Sequence, residues 1–300
     1  MSVLSAKHFH DEEAAYAFVE AHVWPQGRVC PHCGTVGESG ALKGASTRIG
    51  VYKCYACRKP FTVKVGTIFE SSHVKLHLWL QAIFLISSSK KGFSANQLHR
   101  TLGVTLKTAW FMAHRIREAM RSTDNEPMGG AGKIVEADET FIGHIAGAEV
   151  KPGGYHKYAV LSLVERGGKA RSYNIGAFSA PKVREILEAQ VSHDSTVMTD
   201  QAAWYKKNMP FARHESVNHS HYEWARGDVT TNTVESFFSV FKRGMKGTYQ
   251  HCDEKHLQRY LAEFDFRYNH RVALGVNDVA RAAHALKGVV GKRLTYRTIN

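Results

Sequence analysis

Thr230-Thr231-Asn232-Thr233-Val234-Glu235-Ser236-Phe237-Phe238-Ser239-Val240-Phe241-Lys242-Arg243-Gly244 decides how this chain is read. At about 100° per residue, Val234, Phe237, Phe238, Phe241 and Met245 share one arc of a helix, and Asn232, Glu235, Ser239, Lys242 and Lys246 share another. One face is made to bury. The other carries a single carboxylate, an amide one turn before it and two ammonium groups. An amphipathic helix with a solvated polar face would account for that pattern alone. Two isolated acids upstream, Asp138 and Asp200, set this helix apart, because each sits on a strand-like stretch. Three carboxylates from separate elements suit a metal site.

The chain has 300 residues, more than one small domain needs. Apolar residues make up 43% of it, enough for packed cores. Lys and Arg number 40 against 27 Asp and Glu, a net charge of +13, and both halves are basic. That balance expects a polyanionic partner, although charge gives loose binding rather than specificity. The first residues hold no apolar signal core, and no run of about 18 apolar residues follows. The expectation is a soluble, cytoplasmic protein with no membrane partner. Five cysteines in that setting are thiols or metal ligands rather than disulfides.

Cys30-Pro31-His32-Cys33 and Cys54-Tyr55-Ala56-Cys57 form two Cys-x-x-Cys pairs about twenty residues apart, a strong signal for structural Zn²⁺. Four thiolates already complete a tetrahedral site, so His32 is not needed as a ligand. Cys252 has no partner by spacing and receives no role. A short helix is expected over residues 8–24 and an apolar one over 74–89. Ser94 is an N-cap and Gly103 a stop for a third helix, and a fourth begins after Thr105. Leu106, Ala109, Ala113, Ile116 and Met120 line the inner side of this fourth helix. Lys107, Thr108, Phe111 and Arg115 point away from it, so the pair reads as a helix-turn-helix that meets DNA through Lys107, Thr108 and Arg115, with an ordinary helical hairpin as the alternative from this stretch alone. Residues 122–132 are a linker by composition. Beyond it the pattern turns to strands at 133–144, 158–165 and 170–178, a helix at 181–192 and a strand ending in Asp200. A helix bearing Glu235 comes next, and that order matches an RNase H-like core. A further helix spans 253–271, and the basic end of the chain is read as a loosely held tail.

An acid at the end of a strand is held rigidly at the rim of its sheet. Asp138 and Asp200 have that placement, and Glu235 on a crossing helix could complete a cluster. Crowded carboxylates repel unless a cation neutralises them. Oxygen ligands suit Mg²⁺ or Mn²⁺, and two ions about 4 Å apart would serve in-line displacement at a phosphodiester. The pattern leaves alternatives open. Glu136 shares a strand face with Asp138, while Glu139 points to the other face. Asn232 could ligate metal, orient Glu235 or simply be a polar residue near the helix start. Lys242, with Lys246 a turn further on, could grip DNA phosphate or be solvated.

Taken together, several runs resemble the DDE-type insertion-sequence transposases with an N-terminal zinc ribbon, the ISXO-like group. They are the two Cys-x-x-Cys pairs, Ser94-Ala-Asn-Gln-Leu with Leu-Gly-Val and the following His-Arg-Ile-Arg-Glu-Ala-Met, Glu136-Ala-Asp-Glu-Thr-Phe-Ile-Gly, Thr199-Asp200, Thr231-Asn-Thr-Val-Glu-Ser-Phe-Phe, and Glu263-Phe-Asp-Phe-Arg-Tyr-Asn. The resemblance covers residues 10 to about 275. His144 stands where the group usually has a second glycine, away from the acids. The chain is thus expected to be an α+β multidomain protein: helix and zinc ribbon over 1–72, helix-turn-helix over 73–121, linker over 122–132, RNase H-like catalytic domain over 133–275, tail over 276–300. The resemblance implies Asp138, Asp200 and Glu235 as catalytic acids with Asn232 as the added amide of a DDNE variant. It also implies binding of double-stranded DNA at inverted-repeat ends, cleavage there and joining to target DNA. Synapsis of two ends expects a homodimer or larger assembly on DNA, associated with the nucleoid. A DNA-binding regulator with an inert second half, and a nuclease that cuts without joining, are the alternatives.

Overall fold

The computed structural model describes residues 2–150, 152–205 and 209–295. The chain forms two compact units, residues 1–121 with 276–300, and residues 122–275.

The first unit opens with α1 (Glu12–Val23), started by Asp11, whose Oδ1 accepts the Ala14 N–H at 2.8 Å. A small antiparallel sheet follows, in the order β1 (Ser39–Ala41), β2 (Tyr52–Cys54), β3 (Pro60–Phe61). Then come α2 (Leu76–Ser88), α3 (Ala95–Leu102) and α4 (Leu106–Met120). The α3–α4 turn follows the sequence signals closely. Ser94 Oγ accepts the Gln97 N–H, and Gly103 closes α3 at φ 68°, a left-handed geometry that favours glycine.

Two expectations in this unit fail. Leu106, placed on the inner side of α4, is 45% exposed. Arg115, read as facing DNA, is only 4% exposed, and its guanidinium donates to the carbonyls of Ile68 (2.6 Å) and Glu70 (2.8 Å). The reason is that α4 is buried nearly all round from Met112 to Met120. Its open surface is confined to the first turns. The 276–300 stretch begins with α8 (Asp278–Lys287), capped by Asn277 and packed on α2, and the basic end read as loosely held from Lys287 is tied down by buried Val289 and by Lys292 Nζ, which donates to Ala119 O at 3.2 Å and Arg121 O at 2.5 Å. Residues 296–300 of that stretch lie outside the described residues.

The second unit is a five-stranded mixed sheet flanked by helices on both faces. Its strands are β4 (Ile134–Ile142), β5 (Tyr158–Glu165), β6 (Ala170–Gly176), β7 (Thr196–Asp200) and β8 (Arg213–Val217), in the order β6-β5-β4-β7-β8. β4, β5 and β6 pair antiparallel, while β7 and β8 run parallel to β4. The edge strand β8 was not read from sequence, because Arg-His-Glu-Ser-Val offers one apolar residue and no clear alternation. Residues 128–130 also depart from a free linker. Met128 is buried, its N–H donates to Gln190 O at 2.7 Å, and the Gly130 N–H donates to Ser195 Oγ at 2.8 Å. Gly129 allows this close approach, because a Cβ there would stand 2.2 Å from Ser195 Oγ.

One sheet face packs Val135, Ala137, Leu161 and Leu163 against Val183 and Leu187 of α5 (Ala180–Gln190). The other packs Val160 and Val164 against α6 (Asn232–Gly244) and α7 (Glu254–Asn269). Val234, Phe237, Phe238, Phe241 and Met245 are all buried there, as the helical period required. Each contributes roughly 1.5–3 kcal/mol by leaving water.

On α7, Asp265 accepts from the Ser172 N–H (2.8 Å) and hydroxyl (2.6 Å) of β6, and burial pushes its carboxyl up to about 7. A raised folded-state pKa means that the native protein keeps this proton after the unfolded chain has released it. Stability from this group is therefore complete below about pH 4 and is lost as pH rises to about 7. The expected result is that Asp265→Asn removes up to about 1.4 kcal/mol per pH unit of slope across that window. Urea unfolding of both proteins at several pH values measures it, and parallel curves would refute it.

A candidate carboxylate site and a four-thiol centre

The sheet brings the two strand acids together by register. β4 and β7 are parallel neighbours with Glu136 opposite Met198, and two residues further along each strand lie Asp138 and Asp200. Val135, Ala137 and Val197 face the α5 layer, so Asp138 and Asp200 share the opposite face, the one α6 covers. Glu235 lies in the first turn of α6. Its carboxylate is half exposed, accepts from Thr231 Oγ1 at 2.7 Å and lies 3.3 Å from His219 Nε2.

These groups sense one another. Burial pushes Asp138 up to about 7, the charges of Asp200 and Glu235 push the same way, and the Glu139 N–H and Lys242 oppose them. Asp200 is likewise raised by burial, against the Ala202 N–H and His219. Asp138, Asp200, Glu235 and Lys242 therefore occupy one electrostatic neighbourhood. Asn232 is exposed one turn before Glu235, and Lys246 is exposed beyond the end of α6.

Glu139 projects to the α5 side, where Tyr205 Oη and Trp204 Nε1 donate to it and burial pushes it up to about 8. Glu136 is committed elsewhere. It is wholly buried, and its carboxylate accepts the N–H groups of Thr233 (2.7 Å) and Val234 (2.9 Å) and the Thr233 hydroxyl (2.8 Å). Arg166 Nε donates to it at 2.6 Å, while the rest of that guanidinium donates to the carbonyls of Asp228 and Thr230. Glu136 thus caps the start of α6 from the sheet and fixes Glu235 relative to Asp138. Four charge-assisted bonds hold it, so it is not a free ligand.

His219 is the group that sequence reasoning missed. It lies just past the end of β8, beside the strand end that carries Asp200. The available signal was its place at the carboxyl end of a parallel strand, where α/β sheets gather their ligand-binding residues. That signal was lost with the strand itself.

The thiols close more tightly than the acids. One sulfur from each of Cys30, Cys33, Cys54 and Cys57 lies within 4.8 Å of every other, whereas Asp138, Asp200 and Glu235 do not meet that spacing. Cys30–Cys57 and Cys33–Cys54 are each 3.7 Å apart. Four sulfurs about 2.3 Å from a tetrahedral ion would be separated by about 3.8 Å, so the set fits zinc. Two turns place them: the Gly34 N–H donates to Cys30 O, and the Cys54 N–H donates to Lys59 O. His32 Nε2 lies 3.2 Å from Pro60 O rather than among the thiols.

Residues 129–269, which span all three acids, match the family described as the ISXO2-like transposase domain. Residues 10–60, which hold the four cysteines, match the transposase zinc-ribbon domain. The chain carries the two domains of an ISXO2-like insertion-sequence transposase. A protein of Halobacterium salinarum described as "Uncharacterized protein in transposable element ISH50" is 26% identical over 284 residues, which is 88% of this chain and 93% of that one. The likeness therefore extends over most of the transposase and beyond its matched domains. No helix among the described residues of the transposase is long and apolar enough to cross a membrane.

Proposed function

We propose that this transposase binds the terminal inverted repeats of its insertion sequence, cuts the DNA strands there and joins them to target DNA. The observation that carries the reading is the shared placement of Asp138 and Asp200 at matched positions of adjacent parallel strands, under the helix that bears Glu235. The strand order and flanking helices support an RNase H-like core. The donor set consists of hard carboxylate oxygens with an amide nearby, which fits Mg²⁺ or Mn²⁺. Asp138, Asp200 and Glu235 would hold such ions, with Asn232 beside Glu235. Bound there, a pair of ions supplies charge neutralisation and polarisation of the attacking and leaving oxygens.

The chain's own residues do the rest. Burial around Asp138 and Asp200 keeps bulk water from competing for the reacting phosphate. Glu136 and Arg166 hold the helix start so that Glu235 cannot drift. Lys242 and Lys246, exposed on the same helical side, grip phosphates of the strand being cut. In the first unit, the α3–α4 pair serves as a helix-turn-helix, and Lys107 and Thr108 in the open first turn of α4 meet DNA, without Arg115. The domains proposed are a helix and zinc ribbon, the helix-turn-helix, and the catalytic unit. Synapsis of two ends makes the working form at least a dimer on DNA, and its place is the nucleoid.

The test is purified protein incubated with Mg²⁺ or Mn²⁺ and DNA carrying the flanking ends of its own gene, beside Asp200→Ala and Glu235→Gln. Cutting and joining at those ends are expected in the native protein and absent from both variants, while a gel shift shows end binding nearly unchanged. Binding without cutting in any of the three would overturn the reading in favour of a DNA-binding regulator. Cutting without joined products would reduce it to a nuclease.

A further inference from the structure

Two large aromatic rings stand in solvent on the loop that runs past the carboxylate site. Tyr222 is 84% exposed and Trp224 is 58% exposed, in the loop between β8 and α6. Burying either ring would release apolar surface from water, so each offers a contact surface. The loop that carries them is built to hold its shape. The Asn218 N–H donates to Glu223 Oε2 at 3.0 Å, and the Glu223 N–H donates back to Asn218 O at 3.1 Å. Arg226 binds Glu223 at 3.2 Å and Glu215 of β8 at 3.1 Å, and its backbone pairs both ways with Val229. Tyr222 sits at φ 59°, a left-handed conformation that a tyrosine adopts only when its surroundings enforce it.

The loop also reaches the acids. The Trp224 ring lies on the His219 ring, with centroids 4.8 Å apart and planes 37° from parallel. The far nitrogen of that imidazole is 3.3 Å from Glu235 Oε1 and 3.4 Å from Thr231 Oγ1. Its near nitrogen, Nδ1, is buried and has no hydrogen-bond partner among the described residues. One imidazole therefore separates an exposed indole from a carboxylate of the site. A DNA strand that meets Glu235 therefore passes close to that indole.

We propose that Trp224, extended by Tyr222, is a stacking platform for an unpaired nucleobase at the DNA end being processed. The proposal rests on the reading that the three acids act on DNA. The chemistry fits the surface. Base pairs at a DNA end open readily, and a base that leaves the stack there loses its stacking energy unless another π face replaces its neighbour. An aromatic face does so for any base, since every base has a π face, which suits a position that must be held without being read. No charged group is needed on the platform itself. Arg226 is already occupied by two carboxylates, which keeps the loop from serving merely as a phosphate clamp.

The experiment uses the full chain and a duplex ending in a short single-stranded overhang, with 2-aminopurine as the first unpaired base. A blunt duplex with the same base paired serves as reference. Quenching of 2-aminopurine and the preference for overhang over blunt DNA are read for the native protein, Trp224→Ala, Trp224→Phe and Tyr222→Ala, none of which disturbs a buried position. The native protein is expected to quench the overhang base and not the paired one. Trp224→Ala should lose the quenching and about 5- to 100-fold of the overhang preference, and Trp224→Phe should restore most of both. Tyr222→Ala should lose less. Equal quenching in the native protein and Trp224→Ala overturns the proposal. So does a Trp224→Ala protein that cuts poorly yet still quenches, which would reduce the ring to packing on His219. Metal-dependent cutting is assayed in parallel. Since stacking is read without any cutting, loss of the catalytic reading and loss of the platform show as different results.

Discussion

Cys54→Ser is expected to strip zinc from the protein and unfold the ribbon around it. A four-thiolate site contributes on the order of 10 kcal/mol to the folding of a domain this small. What remains without it is a short sheet over a few side chains, in which Trp24 and Tyr52 meet Phe61 edge-on or tilted. That core is too small to hold three strands of two or three residues. Metal analysis should fall from one zinc per chain towards none, and limited proteolysis should then open cleavage sites between residues 25 and 65. The helices of the first unit should keep their protection, because α2, α4 and α8 pack on one another without the ribbon's help. Unchanged zinc content, or a ribbon as resistant as before, would contradict the four-thiol assignment.

Glu136→Gln is the second large effect. A carboxylate buried with Arg166 and three donors of α6 becomes a neutral amide that offers one acceptor where two were used. Arg166 is left facing no counter-charge in a half-buried position. Breaking such a pair costs about 3–5 kcal/mol. The sign discriminates between two roles for this residue. An acid serving only to bind metal would stabilise the metal-free protein on removal, because a repulsive charge disappears. A tether destabilises it. The urea midpoint should therefore fall, and amide exchange at Thr233 and Val234 should accelerate ahead of the rest of α6. A loss smaller than about 1 kcal/mol would refute the tether.

Much of this architecture was legible because its signals were local. The arc of Val234, Phe237, Phe238 and Phe241 fixed both the helix and its buried face. The Ser94 cap and Gly103 stop bounded α3 to the residue. The near-continuous apolar run from Tyr158 to Glu165 reads as a central strand, and its side chains are buried on both faces of the sheet. The cysteine spacing foretold the sulfur cluster, since two knuckles leave little freedom.

What escaped depended on distant partners. Arg115 sits at a helical position that periodicity assigns to solvent, and only the carbonyls of Ile68 and Glu70, more than forty residues away, turn it inward. Glu136 and Asp138 share a strand face and cannot be told apart by alternation. The arrival of the α6 N-terminus over Glu136 separates them. β8 lacks a strand pattern because an edge strand needs burial on only one side. His219 went with it. α8 hid in a stretch whose charge suggested solvent, although Val279, Ala282, Ala283 and Leu286 repeat at helical intervals behind Asn277.

The position of α8 bears on how this protein is made. The first unit is discontinuous in sequence, and its last helix follows the whole of residues 122–275, so it cannot be completed until the end of the chain is made. Until α8 emerges, α2 exposes the apolar side that Leu286 and Ala285 will cover. A chain cut short after residue 275 would therefore keep every residue of the second unit while the first lacked its last helix.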